Sequence, residues 1–262
     1  GKRLRVKQQY VLSSASLQDI IRTYKEAHGS DLSRFADFTA VQLNDTHPAM
    51  SIPELIRLLM AEGMNFDQSF EMAQRTFSYT NHTVMGEALE KWNMDLLRSV
   101  VPEICDILVR IDNKLKSEHP NLFVIRDNTA HMANLSVYVS SYVNGVAEIH
   151  SQILKDSLFH DWYQAYPERF QNKTNGVTPR RWMGLCNPEL TQMIKYRVGG
   201  DFLMNLDKLE NLKPMIDDDM VRQFNQIKHM KKVQLAAVVE KHEGVHLNPD
   251  FMFDVQVKRA GS

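Results

Sequence analysis

Apolar residues recur along much of the chain at steps of three and four positions, the spacing that places them on one face of a helix. Ser16 is predicted to cap a helix that ends at Gly29, and Ile104 to Leu115 forms an apolar stripe within another. The other predicted helices begin at the capping-box sequence Ser51-Ile52-Pro53-Glu54, at Asn65, at Ala147, at Pro179 and at about Asp217, the last of them ending at Gly244.

Short apolar runs separate these helices and predict strands. They cover residues 39–43, 77–80, 135–142 and 251–257, whereas 170–175 is predicted to be a connection into a turn. Strands that alternate with helices are typical of a mainly parallel sheet. The pattern therefore predicts a helix-rich α/β fold with short, mainly parallel strands.

Composition narrows the classes of function. At about 150 residues per domain, the 262 residues fit one large domain or two smaller ones. The 31 basic and 32 acidic residues leave a net charge of −1, which favours neither nucleic acid nor an anionic membrane as partner. Apolar runs stay below the roughly 20 residues that span a bilayer. Two cysteines without a CxxC motif favour a reducing cytoplasm, and no glycine-rich phosphate loop occurs.

Polar residues cluster where the predicted strands end. In open α/β sheets, ligands bind outside the carboxyl ends of the strands, so these clusters are expected to share one crevice. Asparagine amides both donate and accept hydrogen bonds, which suits a polyhydroxylated ligand, and a Lys-Arg pair suits a phosphate. The clusters are Asn44-Asp45-Thr46-His47, Asn81-His82-Thr83, Asn144-Gly145, Asn172 to Asn175 and Lys258-Arg259.

Each cluster also has a purely structural interpretation. Asp45 alternatively caps the turn before Pro48, His82 alternatively lies buried in the core, and Lys258-Arg259 alternatively forms a solvated strand end. Asn144-Gly145 and Asn175-Gly176 are ordinary turn dipeptides.

A metal site is a further alternative. Asp45-x-His47 followed by Asn81-His82 resembles the start of a metallophosphoesterase ligand set, which binds two metals. The downstream GHxH of that set is missing from the sequence, so no metal ligands are assigned.

Six longer motifs, in order over nearly the whole chain, resemble those of the α-glucan phosphorylases, the family of glycogen, starch and maltodextrin phosphorylases. They are Val41-Gln42-Leu43-Asn44-Asp45-Thr46-His47-Pro48, Tyr79-Thr80-Asn81-His82-Thr83-Val84, Glu87-Ala88-Leu89-Glu90-Lys91-Trp92, Val143-Asn144-Gly145-Val146-Ala147, Lys173-Thr174-Asn175-Gly176-Val177-Thr178-Pro179-Arg180-Arg181-Trp182 and Phe253-Asp254-Val255-Gln256-Val257-Lys258-Arg259.

The resemblance implies a two-domain glycosyltransferase of the GT-B type, with Rossmann-like sheets and the active site between the domains. It implies that inorganic phosphate attacks the terminal α-1,4-linked glucose of a glucan and releases glucose 1-phosphate with retained configuration. Pyridoxal 5'-phosphate is the implied cofactor and acts through its own phosphate as acid and base. A cytoplasmic homodimer is the implied form of the intact enzyme.

The resemblance also assigns roles to residues of this chain. Residues assigned to catalysis are His82, Lys258 and Arg259, with Lys258 also facing the cofactor phosphate and Arg259 the substrate phosphate. His82 and Asn175 are assigned to hydrogen bonds with the glucosyl hydroxyls, and Val146 packs near them. The wall on the β side of the sugar is assigned to Asp45, His47, Ala88 and Glu90.

The chain also departs from the family pattern. After Arg259 it continues Ala260-Gly261-Ser262, and the Asn-Met-Lys context of the cofactor lysine does not occur. We therefore expect a central segment, with residues 1–174 from the N-terminal domain and 175–262 from the junction and the start of the C-terminal domain. Such a segment is expected to be inactive alone, and either to self-associate through its exposed apolar surface or to belong to a longer chain. Alternatively, it acts as a non-catalytic maltooligosaccharide-binding module. A short stretch between Trp92 and Asn144 favours a bacterial-type enzyme with little allosteric equipment.

Overall fold

The computed structural model describes residues 1–255, and the chain divides into two compact units, Gly1–Asn175 and Gly176–Ser262. The predicted site residues Lys258 and Arg259 lie outside the described residues.

The first unit alternates helices with short strands. Its helices are α1 (Lys2–His28), α2 (Phe35–Phe38), α3 (Ser51–Ala61), α4 (Phe66–Thr76), α5 (Met94–Arg98), α6 (Cys105–Glu118), α7 (Met132–Tyr138), α8 (Glu148–Ile153) and α9 (His160–Ala165). Its strands are β1 (Val41–Asn44), β2 (Phe77–Thr80), β3 (Lys91–Asn93), β4 (Ile125–Arg126), β5 (Thr129–His131), β6 (Val143–Gly145) and β7 (Phe170–Asn172).

The central sheet of the first unit has the strand order β1-β2-β6-β7, and each adjacent pair is parallel. A small antiparallel sheet, β3-β5-β4, lies apart from it. Apolar side chains at Leu43, Phe77, Tyr79 and Val143 are completely buried along the central strands. The predicted α/β class, with many helices and short, mainly parallel strands, is confirmed.

The second unit is almost entirely helical over its described residues. It contains α10 (Pro188–Val198), α11 (Asp218–Glu243), a π-helical segment (Arg180–Leu185) and two 3-10 segments (Gly200–Leu203 and Leu206–Met215). Its buried apolar cluster is small, with Met193, Ile194 and Phe202 at its centre. Within residues 1–255, no helix combines the length and the apolar character that crossing a membrane requires.

Helix α1 begins 14 residues before the predicted cap at Ser16 and ends, as predicted, before Gly29, which has a φ of 85°. The predicted start is wrong because the serines of this segment lie inside a continuous helix, where Ser14 Oγ donates to Glu54 Oε1 at 2.6 Å. A left-handed φ is accessible to glycine without steric cost, so Gly29 ends the helix.

The capping box predicted at Ser51 is also wrong. Helix α3 has no side-chain cap, and Glu54 is completely buried instead of reaching back to the helix start. Its carboxylate accepts hydrogen bonds from Tyr10 Oη at 3.1 Å, Ser14 Oγ at 2.6 Å, and Arg57 Nε and Nη2 at 2.8 and 2.7 Å. Burial, followed by the charge of Glu54, raises the pKa of Tyr10. Glu54 thus joins α1 to α3.

Two predicted strands and one predicted connection differ in the structure. The residues predicted as a strand over 135–142 instead form the end of α7 and the approach to β6. Local helical bonds replace strand pairing here, with Val139 N donating to Leu135 O at 3.0 Å and Ser136 Oγ to Met132 O at 2.9 Å. The predicted connection at 170–175 contains β7, which pairs with β6. Residues 251–255 of the predicted final strand are irregular, and Phe251 and Val255 are exposed.

The predicted start of a helix at Asn65 is confirmed, and the structure adds a capping box there. Asn65 Oδ1 accepts from Gln68 N at 2.9 Å, and Gln68 Oε1 accepts from Asn65 N at 3.1 Å. We expect Asn65→Ala to lower the free energy of unfolding by about 1 kcal/mol, because an N-terminal amide of α4 loses its acceptor. Urea denaturation checks this value, and the matched control is Asn113→Ala on the exposed side of α6. An equal loss in both variants would contradict the capping role.

Candidate functional site

Four of the five polar clusters meet at the carboxyl edge of the central sheet. Because the strands are parallel and in register, Asn44 pairs with Thr80, Thr80 with Asn144, and Gly145 with Asn172. Hydrogen bonds continue beyond the strands, from Asp45 N to Thr80 O at 2.9 Å and from Asn81 N to Asn144 O at 2.9 Å. The structure therefore brings together residues from positions 44 to 175, as the topology predicted.

His82 is exposed at the end of β2, so its alternative interpretation as a buried core histidine is wrong. Its Nε2 atom is hydrogen-bonded to Asn44 Oδ1 of the neighbouring strand. Behind this pair, Thr80 Oγ1 accepts from Gln42 Nε2 at 2.8 Å and donates to Asn144 Oδ1 at 3.0 Å. This chain of hydrogen bonds crosses three strands and orients polar side chains toward solvent at the edge.

Asn81 has a structural role beneath this edge. It is completely buried, its Nδ2 donates to Tyr79 Oη at 3.1 Å, and its Oδ1 accepts from Thr83 N at 2.9 Å. Burial raises the pKa of Tyr79 well above its usual value, and the charge of Asp45 acts in the same direction. The phenol is therefore neutral and serves as a fixed acceptor for Asn81.

Asp45 has the structural role in the turn before Pro48 that its alternative interpretation predicted. Its φ of 67° is left-handed, which is uncommon for a residue other than glycine but tolerated by Asp. Its Oδ1 accepts from Thr46 N at 2.6 Å, so the carboxylate stabilises the turn that follows β1. The residue as a whole is half-buried.

The predicted wall residues Glu90 and His47 are connected through helix α1. Arg5 Nε lies 3.2 Å from Glu90 Oε1, Arg5 Nη2 lies 3.3 Å from His47 Nδ1, and Gln9 Nε2 donates to Glu90 Oε1 at 2.9 Å. The side chain of Glu90 is 9% exposed, and its Oε2 atom is buried without a hydrogen-bond partner among residues 1–255. Ala88 lies exposed in the 3-10 turn Gly86–Ala88 that precedes Glu90.

Arg5 and Gln9 were not among the candidates from the sequence. They are four residues apart and therefore share one helix face. The prediction missed this spacing because it began the helix at Ser16, after both residues.

Val146 and Asn175 are joined through their backbones, with Asn175 N donating to Val146 O at 2.9 Å. Val146 N in turn donates to His150 Nδ1 at 3.0 Å. The side chain of Asn175 is exposed. His150 was also missed from the sequence, where no pattern separates it from a surface helix residue.

A metal-binding cluster is not found in the described part of the chain. Over residues 1–255, no group of three or more His, Cys, Asp and Glu side chains is placed to hold a metal ion. The metallophosphoesterase alternative therefore gains no support from the arrangement of Asp45, His47 and His82.

The parallel sheet and the polar groups along its carboxyl edge define an α/β protein of the class that binds ligands at strand ends. Residues 1–261 match the family model described as carbohydrate phosphorylase, and the chain belongs to this family. The resemblance to the α-glucan phosphorylases is thereby confirmed at the level of the family.

Several glycogen phosphorylases are similar to this chain over its length. The muscle form from Homo sapiens is 42% identical over 282 residues, the brain form from Bos taurus 43%, and the muscle form from Mus musculus 41%. In each case the match covers 99% of this chain and 34% of the relative. The chain thus spans about a third of the length of these relatives.

Proposed function

We propose that this chain is part of a glucan phosphorylase and that the carboxyl edge of its central sheet binds the terminal glucosyl unit of an α-1,4-glucan. The observation that carries this proposal is the meeting of His82, Asn44, Asn144 and Asn175 at one edge of a sheet in a carbohydrate phosphorylase. Family membership supports the type of reaction, and the geometry supports the location of the sugar.

The described residues supply binding and orientation. Asn44 holds the His82 ring in one position, so that the ring can bond a sugar hydroxyl with little loss of side-chain freedom. Asp45, His47, Ala88 and Glu90 form the proposed β-side wall, in which Arg5 and Gln9 hold the Glu90 carboxylate. In the proposed reaction, a phosphate oxygen bonds to the anomeric carbon as the glycosidic C–O bond breaks, and the remaining glucan takes up a proton.

The cofactor proposed for this reaction is pyridoxal 5'-phosphate, whose phosphate group supplies proton donation and acceptance when bound. Lys258 is proposed to face that group and Arg259 the substrate phosphate, and both lie outside the described residues. The complete enzyme is proposed to be a cytoplasmic homodimer with the two-domain GT-B arrangement.

Phosphorolysis by the complete gene product tests this proposal. With maltodextrin, inorganic phosphate and pyridoxal 5'-phosphate, we expect release of glucose 1-phosphate. This release is expected to require both the inorganic phosphate and the pyridoxal 5'-phosphate. Omission of maltodextrin is the control for background release. A soluble, cofactor-loaded protein that releases no glucose 1-phosphate would contradict the proposed function.

The isolated 262-residue chain is proposed to lack this activity, because it spans 34% of the relatives' length. The completeness of the sheet edge within residues 44–175 favours, as the second candidate, a non-catalytic maltooligosaccharide-binding module. Calorimetric titration of the chain with maltoheptaose tests the module, because the module requires saturable binding and a flat titration removes it.

A further inference from the structure

We propose that His150 is a positioning residue of the glucosyl site, and this inference rests on the proposed function. His150 belongs to α8, the short helix that follows β6, and lies behind the edge to which Val146 and Asn175 contribute. Its imidazole fixes the backbone of Val146 without being one of the residues proposed to contact the sugar.

The hydrogen bond to Val146 determines which tautomer the ring adopts. Since Val146 N donates to Nδ1 at 3.0 Å, Nδ1 carries no proton, and the neutral ring has its proton on Nε2. Nε2 is buried and has no hydrogen-bond partner among residues 1–255. Within the described residues, the hydrogen bond from Val146 N to Nδ1 is therefore the polar contact of this ring.

Close packing of α8 against the end of β6 restricts the position of the segment that contains Val146. A Cβ atom added to Gly145 would lie 2.7 Å from His150 Nδ1 and 2.9 Å from Ser151 Cα, so the first turn of α8 rests directly on the end of β6. Real Cβ atoms do not approach other heavy atoms this closely. Glycine is therefore required at position 145 for His150 to reach the Val146 amide.

The same turn of α8 also holds the segment that leads to Asn175. Ser151 Oγ donates to Asn172 Oδ1 at 2.8 Å, and Lys173 N donates to Gly145 O at 3.2 Å. Asn175 N then donates to the Val146 carbonyl at 2.9 Å. A shift of Val146 would therefore move Asn175 as well, and both positions are proposed to contact the glucosyl unit.

Three substitutions of His150 separate positioning from simple packing. Asn places its Oδ1 close to the position of His Nδ1, whereas Gln places its amide near Nε2, and Ala has no acceptor. In the complete gene product, we expect His150→Ala and His150→Gln to lower kcat/KM for maltodextrin phosphorolysis about tenfold or more, mainly through a higher KM. His150→Asn is expected to stay within about threefold of the wild type.

Hydrogen exchange of the Val146 amide provides a readout that does not depend on activity. Slow exchange is expected in the wild type and in His150→Asn, and faster exchange in the other two variants. Full activity of His150→Ala, or a His150→Asn variant no better than His150→Gln, would overturn the positioning role while leaving the proposed function intact. A wild-type protein without phosphorolysis would instead overturn the proposed function and this inference with it.

Discussion

Replacing His82 by alanine in the complete gene product is expected to lower kcat/KM for maltodextrin phosphorolysis by about 10²-fold. His82 is exposed at the carboxyl edge, and Asn44 on the adjacent strand holds its ring. The substitution removes both a proposed hydrogen bond to the sugar and the orientation that this bond imposes. Because the His82 side chain is exposed, the stability of the protein is expected to change little.

The matched control for His82 is His160→Ala, which removes an exposed imidazole from α9. We expect its kcat/KM to stay within about twofold of the wild type, since surface substitutions have small effects. Initial rates of glucose 1-phosphate formation over a range of maltodextrin concentrations give both values. Equal kcat/KM values for the two variants would contradict the proposed role of His82 in binding the sugar.

The largest expected loss of stability follows from replacing Glu54 by alanine. The completely buried carboxylate accepts four hydrogen bonds from Tyr10, Ser14 and Arg57, and the substitution leaves these donors without an acceptor. Breaking a buried ion pair by removing one partner costs about 3–5 kcal/mol. Urea denaturation followed by tryptophan fluorescence measures this loss, because Trp92 and Trp162 are buried in the first unit.

The control for Glu54 is Glu62→Ala at the end of α3. Glu62 also links α3 to α1, through an ion pair with Lys25 at 2.6 Å, but both side chains are substantially exposed. An exposed pair contributes about 0–1 kcal/mol. Similar losses for the two variants would contradict a special role for the buried carboxylate.

Glu54 also connects stability to the site, because α1 carries Arg5 and Gln9, which hold Glu90. The cluster of Glu54 with Tyr10 and Ser14 fixes α1 against α3 only a few residues farther along that helix. A displaced α1 is therefore expected to disturb the β-side wall, even though Glu54 does not contact it.

The sequence by itself determined features that depend on neighbouring residues. The predicted helix start at Asn65 needs only a partner three residues away, and Gly29 and Gly244 end their helices through their own positive φ. Hydrophobic periodicity located α6 and α11, and short apolar runs located β1 and β2. Parallel connection of these strands placed the polar clusters at one edge, because the carboxyl ends of parallel strands share that edge.

Only the tertiary structure decided where distant partners override a local pattern. Glu54 follows a capping spacing, yet donors from α1 bind it in the interior, and residues 135–138 are helical despite their strand-like composition. Arg5, Gln9 and His150 acquire roles at the site through residues that come close only after folding. A linear pattern contains the periodicity of one element, whereas the partner of a buried polar group depends on how several elements pack.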